Sequence, residues 1–156
     1  MIWLKLAANY FYCKLIKMAF LLQFDGLASP NPGEATAGAV LFSPDGKVVF
    51  EVAEYLGIRT NNYAEYMGLL IGLKFAKEKG IRNIKIEGDS NLVIQQVKGL
   101  WKVRESHLVL LFEEIMKLLL DFNVDSINHV YRAYNKHADA LTNECLEDKA
   151  GFVREY

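Results

Sequence analysis

The sequence predicts an α/β protein with a mixed five-stranded sheet and helices on both faces of that sheet. Three apolar segments at about 19–25, 36–43 and 47–56 follow one another closely. A tight turn at residues 44–46 joins the second segment to the third, as is typical of an antiparallel meander. Beyond this meander, helical and strand-like segments alternate. Such an order implies parallel strands joined by right-handed crossovers.

The later elements are bounded by turn residues and by changes in hydrophobic period. Gly80 ends a long helical pattern, and Ile84 and Ile86 alternate with polar residues in the strand that follows. The expected elements are, in order, a helix at about 62–79, a strand at 83–88, helices at 90–98 and about 104–121, a strand at 124–130 and a helix at about 135–148.

Length and composition fit one globular domain. The chain has 156 residues, enough to bury a core without disulfides or a structural metal. We expect a domain over residues 18–150, an N-terminal extension of uncertain role over 1–17 and a C-terminal tail over 151–156. Two cysteines, Cys13 and Cys145, cannot by themselves form a disulfide framework or a zinc site.

Charge is nearly balanced, with 18 Lys+Arg against 19 Asp+Glu. A protein that simply coats nucleic acid is usually more basic. Any contact with nucleic acid must therefore come from a local patch.

The N-terminal segment is apolar and aromatic, but it is not a membrane span. Lys5, Lys14 and Lys17 interrupt it well short of the roughly 20 residues that a membrane helix needs. The uncharged stretch at 6–13 is too polar for a signal-peptide core, and no convincing cleavage site follows it. We expect no membrane association, no part for this segment in catalysis, and a protein of the cytoplasm or nucleus, with organellar import left open.

Four acidic residues stand where the predicted elements begin or end. Asp25 and Asp89 each follow an apolar strand, Glu65 opens the long helix, and Asp139 lies in the last helix. In open α/β sheets, ligands bind at the carboxyl ends of the strands. We therefore expect Asp25 and Asp89 to be neighbours in one site.

The long helix explains how a carboxylate reaches that site. Glu65, Gly68, Gly72 and Ala76 recur at helical spacing, so three very small residues share one face with the acid. Such a face approaches a sheet closely and points Glu65 toward it. The alternative is a glutamate that only favours the positive end of the helix dipole.

Clustered carboxylates without a matching group of Lys or Arg indicate divalent cations. Mg²⁺ prefers oxygen ligands and sites shared with substrate phosphates, and Mn²⁺ is an alternative occupant. Two ions about 4 Å apart can activate a water and stabilise the leaving oxygen of a phosphodiester. The candidate catalytic and metal-ligating residues are Asp25, Glu65, Asp89 and Asp139, with Asp25 and Asp89 central. Each aspartate taken singly is also compatible with a turn or helix cap.

The motifs around these acids, in this order, resemble type 1 ribonuclease H, in particular its plant and archaeal branch. They are D-G followed by N-P-G, then T-N-N-x-A-E, G-D-S, H-V-x-R and N-x-x-A-D-x-L, over roughly Met18 to Leu146. The resemblance implies the ribonuclease H-like fold and a monomeric, Mg²⁺-dependent enzyme. It also implies cleavage of the RNA strand of RNA/DNA hybrids. Two alternatives remain: a catalytically weak nucleic-acid-binding or protein-docking module, and a related nuclease with another substrate.

The resemblance also implies contacts with the hybrid. Asn31, Asn61 and Asn62 match positions that meet its minor groove and backbone, where 2′-hydroxyls mark the RNA strand. Thr60 matches a residue that holds a phosphate of the DNA strand. Considered alone, Asn31 is also a turn former, and Thr60 or Asn61 a helix cap.

Positive charge near the substrate is expected from two places. Lys98, Trp101, Lys102 and Arg104 form a basic segment with an aromatic residue inside it, suited to a DNA backbone. The alternative for Trp101 is a place in the core. Arg132 follows the H-V motif where another branch of the family has a long loop bearing a histidine, and it is the candidate for charge near the acids.

Overall fold

A computed structural model describes residues 1–16 and 18–156 of the chain. The helices and strands alternate largely as expected. The strands are β1 (Phe20–Ser29), β2 (Gly33–Phe42), β3 (Val48–Arg59), β4 (Asn83–Gly88), β5 (Asn123–His129) and β6 (Phe152–Glu155). The helices are α1 (Ile2–Ile16), α2 (Asn61–Glu78), α3 (Asn91–Val97), α4 (Ser106–Leu119) and α5 (Lys136–Asp148), with a 3₁₀ turn at Arg132–Tyr134 before α5.

The sheet has the strand order β5-β4-β1-β2-β3-β6. The first three strands form the expected antiparallel meander, and β1, β4 and β5 pair in parallel. The prediction of five strands is wrong, because β6 pairs antiparallel with β3. This four-residue strand lies in the segment expected to be a C-terminal tail, and it is too short to show a reliable alternation of apolar residues.

Glu51 on β3 helps to hold β6 in place. Its carboxylate is buried and accepts hydrogen bonds from the Tyr156 hydroxyl (2.8 Å), the Arg154 guanidinium (3.4 Å) and His137 Nε2 on α5 (2.5 Å). Burial alone would raise the pKa of Glu51, but these donors outweigh it and lower that pKa. The partners are distant in sequence, so only the folded chain reveals this connection.

Strand β1 is longer than its apolar run suggests. Its antiparallel pairing with β2 continues to Ser29↔Glu34, whereas its parallel pairing with β4 ends at Phe24↔Gly88. Asp25 therefore lies inside a strand, contrary to the expectation that it ends one. It still occupies the carboxyl end of the parallel pair, which is the position that matters for a ligand site.

Helices cover both faces of the sheet, as expected. On one face, α2 packs through its glycines: a Cβ on Gly68 would lie 2.4 Å from the Asp25 carbonyl oxygen, and one on Gly72 would lie 2.8 Å from Ala39 Cβ. On the other face, α5 packs Leu141 and the buried Cys145 in a smaller apolar cluster. The side chain of Cys13 lies outside the described part of the chain.

The extension forms α1, and the side chains of residues 1–12 are exposed, including Trp3 at 83%. Among the described residues, no helix is long and apolar enough to cross a membrane.

Deleting residues 1–17 tests the proposed domain boundary. We propose that the extension adds nothing to the stability of the domain, because β1 begins at Phe20 and the side chains of residues 1–12 are exposed. A chain beginning at Met18 should melt within about 2 °C of the full chain by circular dichroism, which corresponds to under about 0.5 kcal/mol. A loss of 5 °C or more would contradict the boundary.

Candidate active site

Two strand ends bring the first pair of acids together. Phe24 pairs with Gly88 in the parallel register of β1 and β4, and Asp25 and Asp89 are the residues that follow them. One carboxylate oxygen from each of Asp25, Glu65 and Asp89 lies within 4.8 Å of the other two. The predicted meeting of these three acids is therefore present in the structure.

Glu65 reaches the cluster because α2 begins directly over β1. A Cβ on Gly26 would lie 2.1 Å from the Glu65 backbone nitrogen, so glycine is required for this contact. The Glu65 side chain is only 5% exposed. It is the fifth residue of α2, beyond the first turn where the helix dipole acts most strongly. The dipole alternative is therefore a weak explanation of this glutamate.

Asp139 lies at the rim of the same site. Arg132 donates a hydrogen bond from Nη2 to Asp139 Oδ1 at 2.9 Å, and Asp139 lies outside the compact trio. A cavity of about 150 Å³ includes all four acids and Arg132 among its lining residues. The structure thus gathers three acids tightly and holds the fourth beside them in an ion pair.

Two polar residues of the site were not among the predicted site residues. Thr142 Oγ1 lies 3.0 Å from Asp25 Oδ2 and 2.8 Å from the Asp139 carbonyl oxygen. Asn135 is fully buried and donates from Nδ2 to the Phe24 carbonyl oxygen at 2.8 Å. The signal for Thr142 was its position three residues after Asp139, on the same helix face. The signal for Asn135 was its place at the start of the N-x-x-A-D motif.

Burial and mutual repulsion raise the pKa values of these acids. Burial, with repulsion from Asp89 and Asp139, raises the pKa of Asp25 from 3.8 to about 7, although the hydrogen bond from Thr142 opposes the shift. Burial together with Asp25 and Asp89 raises the pKa of Glu65 well above its usual value. Burial also raises the pKa of Asp89, although Arg132 opposes that shift.

The donor set fits a divalent cation. Glu65 Oε2 is buried and has no hydrogen-bond partner among the described residues, which is costly for a carboxylate unless a cation binds it. Three carboxylates offer the oxygen ligands that hard cations prefer. These residues could therefore hold such an ion.

The residues expected to contact a hybrid also have structural roles. Asn31 Oδ1 accepts from the Asn61 backbone nitrogen at 2.9 Å, and Asn61 Oδ1 accepts from the Ala28 nitrogen at 3.3 Å. Thr60 is the N-cap of α2 and accepts from the Tyr63 nitrogen. The turn and cap alternatives are thus correct. The hydrogen bonds of Asn31 and Asn61 join the β1–β2 turn to α2 beside the cavity. Asn62 is half-buried in the same patch.

The basic segment lies on the surface after α3. Trp101 is 49% exposed, so its alternative role as a core residue is wrong. Gln96 ties the segment to the core, because it donates to the Lys102 carbonyl oxygen at 3.2 Å and accepts from the Tyr66 hydroxyl. Lys98 and Lys102 are exposed and available to a ligand.

Comparison with known families gives a match over most of the domain. The model of the family described as "Reverse transcriptase-like" matches residues 23–145. Ribonuclease HI of Halobacterium salinarum is 43% identical over 125 residues, which are 80% of this chain and 63% of that protein. This chain therefore spans less than two thirds of the length of that relative.

Solved structures agree with this match. The crystal structure of RNase H1 from Halobacterium salinarum NRC-1 has a TM-score of 0.80 and 42% identity, and the match covers 83% of this chain and 98% of that one. LC11-RNase H1, solved in complex with an RNA/DNA hybrid, has a TM-score of 0.78 and 30% identity, and the match again covers 83% of this chain and 98% of that one.

The raised pKa of Asp25 predicts that metal-free protein loses stability as pH rises. Folded Asp25 titrates near 7 and its ordinary value is 3.8, so the folded state binds an extra proton between those values. The resulting stability is complete below about pH 4 and is lost as pH approaches 7, with an upper bound of about 4 kcal/mol. In a chelator, the melting temperature should therefore fall between pH 5 and pH 8.

Two comparisons make this prediction specific. Asp25→Asn should flatten the decline, whereas Glu113→Gln, at an exposed position, should retain it. Added Mg²⁺ should raise the melting temperature of the unaltered chain at pH 8 more than at pH 5, because a ligand of the folded state stabilises it. A chelated protein that becomes more stable between pH 5 and pH 8 would contradict the assigned direction.

Proposed function

This chain belongs to the type 1 ribonuclease H family, and on that premise we propose that it is a divalent-metal-dependent endonuclease for the RNA strand of RNA/DNA hybrids. The observation that carries the proposal is the buried trio of Asp25, Glu65 and Asp89 at the carboxyl end of the parallel strands. Because the acids all come from one chain, one copy should suffice for activity. The expected products carry 5′-phosphate and 3′-hydroxyl ends.

The proposed cofactor is Mg²⁺, as two ions when substrate is bound, with Mn²⁺ as a substitute. Asp25, Glu65 and Asp89 would hold the cations, and Asp139 would complete the set from the rim. When bound, such ions activate a water and stabilise the charge of the leaving oxygen. The protein's own contribution is to fix the carboxylates before substrate arrives.

Neighbouring side chains perform that fixing. Thr142 holds one oxygen of Asp25, and the amide of Asn135 ties the start of α5 to β1 beside it. Arg132 holds Asp139 and places positive charge at the mouth of the cavity, where a phosphate would approach. These contacts lower the cost of bringing like charges together.

The proposed substrate surface has two parts. The patch of Asn31, Thr60, Asn61 and Asn62 is suited to a minor groove, because amide groups hydrogen-bond to 2′-hydroxyls and base edges. The basic segment offers the DNA backbone two cations, Lys98 and Lys102, and the exposed ring of Trp101.

Asp89→Asn tests the metal-dependent chemistry. The change is nearly isosteric but removes a ligand charge, so hybrid cleavage should fall by at least about 10³-fold. Metal-free stability should rise or stay unchanged, since repulsion among the acids is relieved. Asp125→Asn makes the same substitution at an exposed site paired with Lys85, and it should leave the rate unchanged.

The measurement is cleavage of labelled hybrid, duplex RNA and duplex DNA, each with and without Mg²⁺. Full cleavage by Asp89→Asn, in protein free of host nuclease, would contradict the assignment. If the unaltered chain binds hybrid and never cuts it, the docking-module alternative replaces the enzyme.

Asn62→Ala and the double change Lys98→Ala with Lys102→Ala should separate two kinds of recognition. The Asn62 side chain makes no hydrogen bond within the described part of the chain, so its loss should not disturb the fold. Asn62→Ala should lower the binding preference for ribose over deoxyribose by roughly 1 kcal/mol. The lysine variant should weaken binding to every backbone alike and reduce the salt slope by about one per lost phosphate contact.

The measurement is binding in Ca²⁺ over a salt series, on hybrids in which successive ribonucleotides are changed to deoxyribonucleotides. It distinguishes recognition of 2′-hydroxyls from recognition of backbone charge. The minor-groove assignment fails if Asn62→Ala responds to lost 2′-hydroxyls just as the unaltered chain does.

A further inference from the structure

The segment between β5 and α5 displays two large aromatic side chains beside the cavity. Tyr131 is 76% exposed and Tyr134 is 72% exposed, and between them lies Arg132, which lines the cavity with the four acids. Neither ring belongs to a core cluster of the described residues. Their exposure therefore has no explanation in the packing of the domain.

The backbone that carries these rings is fixed on several sides. The Tyr134 nitrogen donates to the Tyr131 carbonyl oxygen at 2.8 Å, which closes the 3₁₀ turn. Gln23 Nε2 on β1 donates to the Tyr134 carbonyl oxygen at 3.1 Å. The two rings are therefore presented on a constrained turn, which reduces the entropy that binding would cost.

Tyr131 is also connected to the acid cluster. Its ring meets the His129 ring edge-on, with centroids 6.0 Å apart, and His129 Nε2 lies 3.2 Å from the Asp89 carbonyl oxygen. These two contacts connect Asp89 to His129 and His129 to Tyr131, so the Tyr131 ring lies close to the acid cluster.

The strand order determines which side of the cavity these tyrosines occupy. The acids lie at the ends of β1 and β4, with β5 beyond β4 and the β1–β2 turn that carries Asn31 beyond β1. The Tyr134 carbonyl oxygen is held by Gln23 on β1, whereas Tyr131 and the Asn31 patch lie on different sides of the acids. A strand of nucleic acid whose phosphate enters the cavity would meet both.

We propose that Tyr131 and Tyr134 bind the RNA strand beside the cavity, packing their rings against the riboses of the nucleotides next to the cleaved bond. Arg132 between them meets the phosphate of the same strand. The inference rests on the proposed function. Because the bases of a hybrid are paired and stacked, the rings would meet the sugars of the RNA strand, which carry no sequence information.

The test compares Tyr131→Ala, Tyr134→Ala and the double variant with Tyr131→Phe and Tyr134→Phe. Tyr10→Ala removes a tyrosine of similar exposure (69%) from α1 and serves as a matched control. The readouts are hybrid affinity in Ca²⁺, KM and kcat in Mg²⁺, and melting temperature.

Loss of both rings should raise Kd and KM for the hybrid by at least roughly tenfold, with kcat changed less than about threefold and melting temperature unchanged. The Phe variants should retain most of the affinity, since the ring makes the contact. Tyr10→Ala should match the unaltered chain.

Three results would overturn the inference. The first is unchanged affinity in the double variant while the unaltered chain cuts hybrid. The second is a loss of kcat with KM preserved, which would mean that Tyr131 only positions Asp89 through His129. The third is a Phe variant as weak as its Ala counterpart, which would assign the contact to the hydroxyl. If the unaltered chain itself cuts no hybrid, the proposed function fails first, and the two failures are thereby distinguishable.

Discussion

The close approach of α2 to β1 is the contact on which the site depends. Gly26 and Gly68 leave no room for a Cβ, and together they bring the helix backbone against the strand that carries Asp25. At that distance the Glu65 carboxylate has nowhere to go except among the strand-end acids. Helix packing therefore determines the geometry of the site. A methyl group at either glycine would push α2 away from β1 and displace Glu65, a candidate metal ligand.

This contact has an electrostatic cost, because it buries like charges together. Burial and repulsion raise the pKa of Asp25 and Glu65, so the metal-free site is under strain that a cation would relieve. The protein offsets part of that cost with Thr142 on Asp25 and Arg132 on Asp139. The metal-free protein thus loses some stability in order to hold its carboxylates in place, and such a pre-formed ligand set suits metal-assisted phosphodiester chemistry.

Much of this arrangement could be predicted from sequence because it rests on short-range patterns. The small face of α2 repeats at helical spacing, and Asp25 and Asp89 follow apolar runs, so both signals are local. The sixth strand could not be predicted in that way, because β6 has only four residues and depends on Glu51, about a hundred positions earlier. For Thr142 the sequence offers only a weak signal, its place three residues after Asp139, and the contact with Asp25 shows its role.

The asparagines of the patch have a structural role in the turn and a proposed role in binding, and the two roles use different atoms of the same amide groups. Asn31 uses its carbonyl oxygen to accept from the Asn61 nitrogen, which leaves its amide nitrogen for another acceptor. Asn61 uses its own carbonyl oxygen on Ala28 in the same way. The internal bonds orient the two amide groups, so their structural role supports binding and does not compete with it. Donors fixed beside an acidic cavity suit a ligand whose backbone and sugars are rich in acceptor oxygens.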